Sequence, residues 1–488
     1  MRAELAPFAV DLLLAFAGLG VLLATRVVPP RASDLLAALG LAYLTGAAVV
    51  PLVLVILLVV GVPLALETFL VLVLICVALG VWRSRGQLGD RRVAEMGWWR
   101  RPWRSWPADV WVTVVFVLLF GGFAAVGFLS TLDMPLMGGD GWTIWARKAQ
   151  MLTVHDHLLS GFFAGPSYGF MHSDYPLQYP VWEALHFRAA GAFDTATLLR
   201  HVWLLLVAFV WAVAFLLRKQ VRPLVWAPLL LLAAAAPGFW QQLLTGYADV
   251  PMAIFACLGA ISLALWLRRG EGGFLALAAI MLAAAANTKN EGLMTAVALL
   301  VAAALVVLLR GLRWRQFVFA AAAVVVAVLP WRIWLAAHSI KGDLPVSEGL
   351  NPSYLLDRID RVWPAIRVTA AQLANQGRWL YLLPLAALAV AASLLSGIGR
   401  RVAGFYLVSF VLVWAGFVWS YWISPHPIGW HLSTSASRVI SALVFIGVAA
   451  VVHLSGLLLT ALGERRRQVH GDLATEPAAS LEAITHTD

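Results

Sequence analysis

Charge and sulfur are what this sequence lacks. Of its 488 residues, two are cysteine and 12% are Asp, Glu, Lys or Arg, about half the charged share of a soluble domain. Cys76 and Cys257 stand apart inside apolar runs with no CxxC spacing, which excludes a disulfide framework and a thiolate metal site. The scarcity of charge excludes an ordinary water-exposed globular domain. A cleavage signal is missing as well. The first segment carries Glu4 and Asp11 ahead of or within its apolar run and has no small-x-small site, so it reads as an uncleaved span.

What is present is hydrocarbon. Apolar residues make up 62% of the chain, and mean hydropathy is +0.85. Thirteen apolar runs fall near 6–26, 34–60, 62–83, 108–130, 195–217, 223–243, 249–267, 273–288, 292–310, 316–335, 379–396, 402–422 and 438–461. Most are long enough to cross about 30 Å of hydrocarbon as a helix. The pattern predicts an all-α polytopic membrane protein with about 13 transmembrane helices. Of the 35 Lys and Arg residues, 22 fall in alternate connections: 26–31, 83–104, 218–222, 268–269, 310–315, 400–401 and 465–467. Positive connections stay in the cytoplasm, which predicts the N-terminus outside and the C-terminus inside. The formal charge of +10 then encodes topology and requires no nucleic-acid partner. The polar tail after Arg467 reads as disordered.

Two long connections, 131–194 and 336–378, lie on the predicted outer side, and loops of that length are usually functional. The first contains 138-GGDGWTIWARKAQ-150. Asp140 reads as a helix N-cap, with Gly138 and Gly139 allowing a sharp turn before it. Trp142, Trp145, Ala149 and Leu152 follow at helical spacing. They predict an interfacial helix whose Arg147 and Lys148 reach for phosphates. Later in the same loop, His172, Ser173, Asp174, Tyr175 and Pro176 are expected to shape a pocket, with Tyr179 and Trp182 offering flat faces for stacking. His155 and His157 with His172 and Asp174 form a pattern that can hold a divalent metal, although such histidines are more often hydrogen-bonded loop residues.

Acids and bases recur where spans meet the outer surface. Asp249 opens a span at 246-GYADVPMAIF-255, and Lys289, Asn290 and Glu291 occupy the turn 286-ANTKNEGLM-294. Ionisable groups at such depths are costly and usually functional. Near the end, 421-YWISPHPIGWHLSTSASRV-439 brings His426, His431 and Arg438 to the same face. An arginine there breaks the positive-inside trend and calls for an anion, from a headgroup or a lipid-linked substrate. In the second long loop, Leu355, Ile359, Val362, Trp363 and Ile366 predict an interfacial helix.

An acid early in a large outer loop, a HSDYP element, an ADVP signature opening a span, a TK-x-EG turn and an arginine heading a late span together resemble polytopic GT-C glycosyltransferases. Within that group the set is similar to protein O-mannosyltransferases, aminoarabinose transferases and bacterial relatives, over residues 108–461. The resemblance implies sugar transfer from a polyprenyl-phosphate donor to a glycan, glycolipid or protein acceptor, on the outer face of a bacterial inner membrane. It implies Asp140 as catalytic base. Asp249, Lys289, Glu291, Arg332, His431 and Arg438 would hold the donor phosphate and lipid, and the second long loop would act as a lid. Trp142, Lys148, His172, Asp174, Tyr175 and Tyr179 would form the acceptor pocket.

Two features depart from the family pattern. Three extra spans and a basic loop, residues 1–107, precede the catalytic module, and residues 462–488 form a tail. The paired acid often found at the catalytic position is here Asp140-Gly141, which leaves a metal such as Mg or Mn open. The competing reading is a transporter or lipid flippase. Against it, the polar groups gather at one surface and the two halves show no repeat. A scaffold without chemistry fits that gathering poorly.

Overall fold

The computed structural model describes residues 2–87, 106–165 and 171–475. Most of the predicted basic connection 83–104, a piece of the first long loop (166–170) and the tail beyond 475 lie outside the described residues. No strand occurs among the described residues. The helices used below are α1 (Arg2–Ala24), α2 (Leu39–Val59), α3 (Leu66–Ser84), α4 (Ala108–Asp133), α5 (Arg147–His155), α6 (Gln178–Ala190), α7 (Thr195–Leu217), α8 (Pro223–Ala235) and α9 (Asp249–Arg269). They continue with α10 (Gly272–Thr288), α11 (Asn290–Arg310), α12 (Trp314–Ala337), α13 (Val362–Leu373), α14 (Leu382–Ser396), α15 (Arg400–Ile423), α16 (Ile428–Val439) and α17 (Ser441–Thr475).

Ten helices among the described residues are long and apolar enough to cross a membrane, and the protein is an integral membrane protein. Three shorter apolar helices, α8, α10 and α14, stand at the other predicted positions. The run predicted at 223–243 is not continuous: α8 stops at Ala235, because Pro237 has no amide hydrogen to continue the ladder. The predicted break near Gly61 is present, with Gly61 at φ +89° between α2 and α3. The tail was expected to be disordered from 462, but α17 runs on to Thr475.

Burial is arranged for a bilayer. Helix α9 lies at the centre, with Val250 through Leu267 all buried. Helices α4 and α12 turn Leu118, Val126 and Phe319 outward, where hydrocarbon replaces water as the solvent. Close backbone approach supplies much of the packing where α1 crosses α2. A Cβ on Gly18 would stand 1.8 Å from the Ala42 carbonyl oxygen, and one on Gly46 would stand 1.8 Å from that of Leu14. Small residues at such crossings are how membrane helices gain van der Waals contact without a hydrophobic driving force.

The bundle has two chemically different ends. At one, α9 begins with Asp249; at the other it ends with Arg269, 21 residues and about 30 Å away. The Arg269 end is basic. There Arg218 pairs with Asp34 at 2.5 Å, and Arg313 donates to the Gly270 carbonyl at 3.1 Å. The Asp249 end receives both long loops.

Candidate functional site

The GGDG stretch is shaped by contact rather than by a turn. Neither Gly138 nor Gly139 has positive φ. A Cβ on Gly138 or Gly141 would instead come within 2.3 or 2.1 Å of the Thr245 carbonyl oxygen, so only glycine lets this strip lie against the segment that leads into α9. The Met137 amide donates to the Leu244 carbonyl at 2.7 Å and fixes the register. One turn of π-helix, Gly141–Ala146, then leads into α5.

The expectation that Asp140 caps this helix is corrected. Its side chain makes no capping hydrogen bond. It accepts instead from Arg438, at 2.5 Å from Nη1. The Arg438 guanidinium lies over the Tyr247 ring, 4.5 Å from the centroid, and its Nε has no hydrogen-bond partner. Helix α16 holds His431, Ser435 and Arg438 at spacings of four and three, so one helical face presents all three.

A second ion group stands next to this pair. Lys289, 3% exposed, sits in the break between α10 and α11 and reaches Asp249 at 2.8 Å and Glu291 at 3.1 Å. Asp249 is fully buried, and its charge also interacts with that of Arg438. The cluster therefore joins three carboxylates to two cations. A buried ion survives only with such partners. Asp249 Oδ2 and Glu291 Oε2 nonetheless keep no hydrogen-bond partner, so acceptor capacity remains.

Glu291 opens onto a cavity of about 540 Å³. Its polar part holds His172, Asp174, Asn290, Arg332 and Asp343; its apolar part follows Leu293, Met294 and Val297 along α11, facing Phe417 and Val439. From Asn290 to Val297 is about 10 Å along a helix. His431 and Tyr175 also line the cavity. His431 Nδ1 meets Ser424 Oγ at 2.8 Å.

The polar part is tied across both long loops. Asn290 donates to Asp174 Oδ2 at 2.6 Å and accepts from Arg332 Nη2 at 2.7 Å. His172 Nδ1 pairs with Asp343 Oδ2 of the second loop. Burial, with the negative charge of Asp343 beside it, raises the Asp174 carboxyl from 3.8 to about 6.

Three expected acceptor residues are placed differently. Lys148 does not reach outward: it is 1% exposed and donates to the His172 carbonyl at 2.6 Å, because α5 packs on α6 beneath the HSDYP segment. Burial lowers its ammonium to about 8. Tyr179 and Trp182 are core residues and offer no open face. Tyr175 takes up the aromatic position instead, stacked between Trp145 at 5.4 Å and His172 at 5.0 Å. Trp142 is exposed, with its indole nitrogen donating to the Leu136 carbonyl at 3.0 Å.

The histidine pattern does not converge. His157 faces Asp156 at 2.6 Å while His172 faces Asp343, and among the described residues no group of three His, Cys, Asp or Glu side chains is placed to hold a metal. The second loop also differs from the single interfacial helix expected. It forms Pro352–Leu356, a turn at Ile359–Arg361, and α13. Helix α13 buries Ala365 and Thr369 and leaves Trp363 exposed. Arg358 and Arg361 clasp the loop to the Ser424 carbonyl at 3.0 and 2.5 Å.

Asp343, Asn290 and Tyr247 complete the site without having been singled out for it. The latter two stood inside the quoted motifs; Asp343 had only a Gly-Asp pair in a loop to announce it. No family model, no curated protein and no solved structure matches this chain.

Proposed function

We propose that this protein is a GT-C type membrane glycosyltransferase, crossing the bilayer thirteen times and moving a sugar from a polyprenyl-phosphate donor to an extracytoplasmic acceptor. The Arg438–Asp140 ion pair beside a mostly apolar cavity with a polar end carries this reading. A donor needs the same division: hydrocarbon along Leu293 and Val297, and a phosphate near the cations. Arg438 and Lys289 are already engaged by carboxylates, so an arriving phosphate exchanges partners there, while Arg332 donates to the Asn290 amide oxygen and keeps its Nε without a hydrogen-bond partner. When Arg438 turns to the phosphate, Asp140 is released as a base.

The step then balances. The acceptor hydroxyl oxygen bonds to the anomeric carbon while the bond from that carbon to the phosphate oxygen breaks. The hydroxyl proton passes to Asp140, and the bonding pair leaves with the lipid phosphate, steadied by Arg438 and Lys289. One displacement gives inversion.

The test is purified protein with a polyprenyl-phosphate sugar. Release of lipid phosphate together with a product inverted at the anomeric carbon is the expected result. Movement of the intact donor across a vesicle membrane without turnover would replace this proposal with a flippase.

A further inference from the structure

We infer that the Arg269 end of the bundle carries a separate binding site for the phosphate headgroup of an anionic membrane lipid. A cavity of about 260 Å³ lies there, lined by Arg26, Arg218, Lys219 and Arg269 with Glu271 as its carboxylate. The charges do not cancel. Arg218 is neutralised by Asp34 at 2.5 Å, whereas Arg269 meets Glu271 only at 3.8 Å. Arg26 and Lys219 make no ion pair among the described residues and are exposed. Helix C-termini attract cations, and α1, α7 and α9 all end here. That attraction accounts for one cation at each terminus. It accounts neither for Lys219 beside Arg218 nor for the hollow between the helices.

The hollow is held in shape by backbone. A Cβ on Gly273 would stand 2.4 Å from the Thr25 carbonyl oxygen, so the end of α1 is seated directly on the start of α10. Arg26, which follows, has φ +61°, an uncommon conformation for a residue with a side chain, kept where surrounding contacts determine it. The lining is mostly polar, with Val27, Phe215 and Phe274 as its apolar part, and the Arg218 guanidinium lies over the Phe215 ring, 3.6 Å from its centroid. A cationic hollow with a smaller apolar part at the ends of membrane-spanning helices matches a phosphodiester headgroup whose acyl chains continue into the bilayer. The site lies about 30 Å along α9 from Asp249, so it is independent of the cluster above.

The experiment is native mass spectrometry of the full-length protein with phosphatidylglycerol or phosphatidylcholine, repeated with Arg26→Ala/Lys219→Ala and with Arg400→Ala/Arg401→Ala. The second pair removes charge at the same end but outside the cavity. We expect preferential binding of phosphatidylglycerol, reduced about tenfold in the cavity variant and unchanged in the other. Equal binding of the two lipids, or equal loss in both variants, overturns the inference. Glycerol phosphate is added as a competitor: displacement of phosphatidylglycerol at comparable concentration would make this a site for soluble phosphates and remove the lipid.

Discussion

Two buried polar clusters occupy the same half of the bundle, and they treat their fully buried acids, Glu183 and Asp249, in opposite ways. Around α6, Asp11 accepts from Tyr43 at 3.1 Å and faces His186 Nε2 at 2.9 Å, while His186 Nδ1 meets the Trp182 carbonyl at 2.9 Å. One turn away Glu183 is fully buried and makes no ion pair among the described residues; burial pushes its carboxyl well above the usual range, which favours the neutral form. Around Lys289, Asp249 is as deeply placed and Glu291 is part-buried, but each faces a cation. Burial alone discharges an acid; partners keep it charged. The first arrangement locks helices together, and the second holds charge ready beside a cavity.

Removing a partner should separate the two most sharply. Lys289→Met leaves Asp249 buried without its nearest cation and is expected to cost about 3 to 5 kcal/mol. Glu183→Gln replaces one neutral group by another of similar shape and should cost under about 1 kcal/mol. Thermal unfolding in detergent measures both. Similar shifts in the two variants would end the distinction.

Next in size is Asp140→Asn. Asparagine keeps the shape and can still accept from Arg438, but it takes no proton at neutral pH. We expect folded protein that binds donor with transfer reduced about 10²-fold or more. Near-normal turnover would transfer the role to Asp249 or Asp174. Arg438→Lys sharpens the same point, since it keeps charge and loses the planar fork. Weakened donor binding is expected there, and unchanged affinity would return Arg438 to anchoring.

Tyr43→Phe probes the locking cluster alone. It removes one hydrogen bond to Asp11 and should cost about 1 kcal/mol, with transfer per folded molecule unchanged. Loss of transfer beyond the loss of folded protein would join the N-terminal helices to the chemistry.

The sequence disclosed the clusters unevenly, for physical reasons. Apolar runs located the membrane helices because hydrocarbon imposes length and composition together. Asp140, Asp249, Lys289, Glu291 and Arg438 were legible because charge at the end of a span is rare, and the structure brings them into one group. Lys148 was misread because helical spacing shows that a helix has two faces, not that a later loop will cover the polar one. Tyr179 followed the same error. Asp343 was silent because its role comes from meeting His172, 171 residues away in the chain, and no local pattern encodes that meeting.

The finest test sits at that meeting. Asp174 accepts from Asn290 at 2.6 Å while its Oδ1 has no hydrogen-bond partner. Burial first and Asp343 second raise its carboxyl from 3.8 to about 6. A carboxyl raised by folding holds its proton more tightly folded than unfolded. Its contribution to stability is therefore complete below about pH 4 and is lost as pH rises through about 6. Lys148 has the opposite linkage: lowered from 10.5 to about 8, it favours the folded state increasingly as pH rises across that interval. Asp174→Asn should flatten the decline between pH 4 and 6 and leave the alkaline rise in place. The tilt is expected to be small, a degree or two of unfolding temperature or roughly 0.5 kcal/mol, because Lys148 beside it shares the titration. An acidic-side profile identical to the parent's would mean that Asp174 titrates as an ordinary exposed acid, and that the polar part of the cavity is wetter than its packing implies.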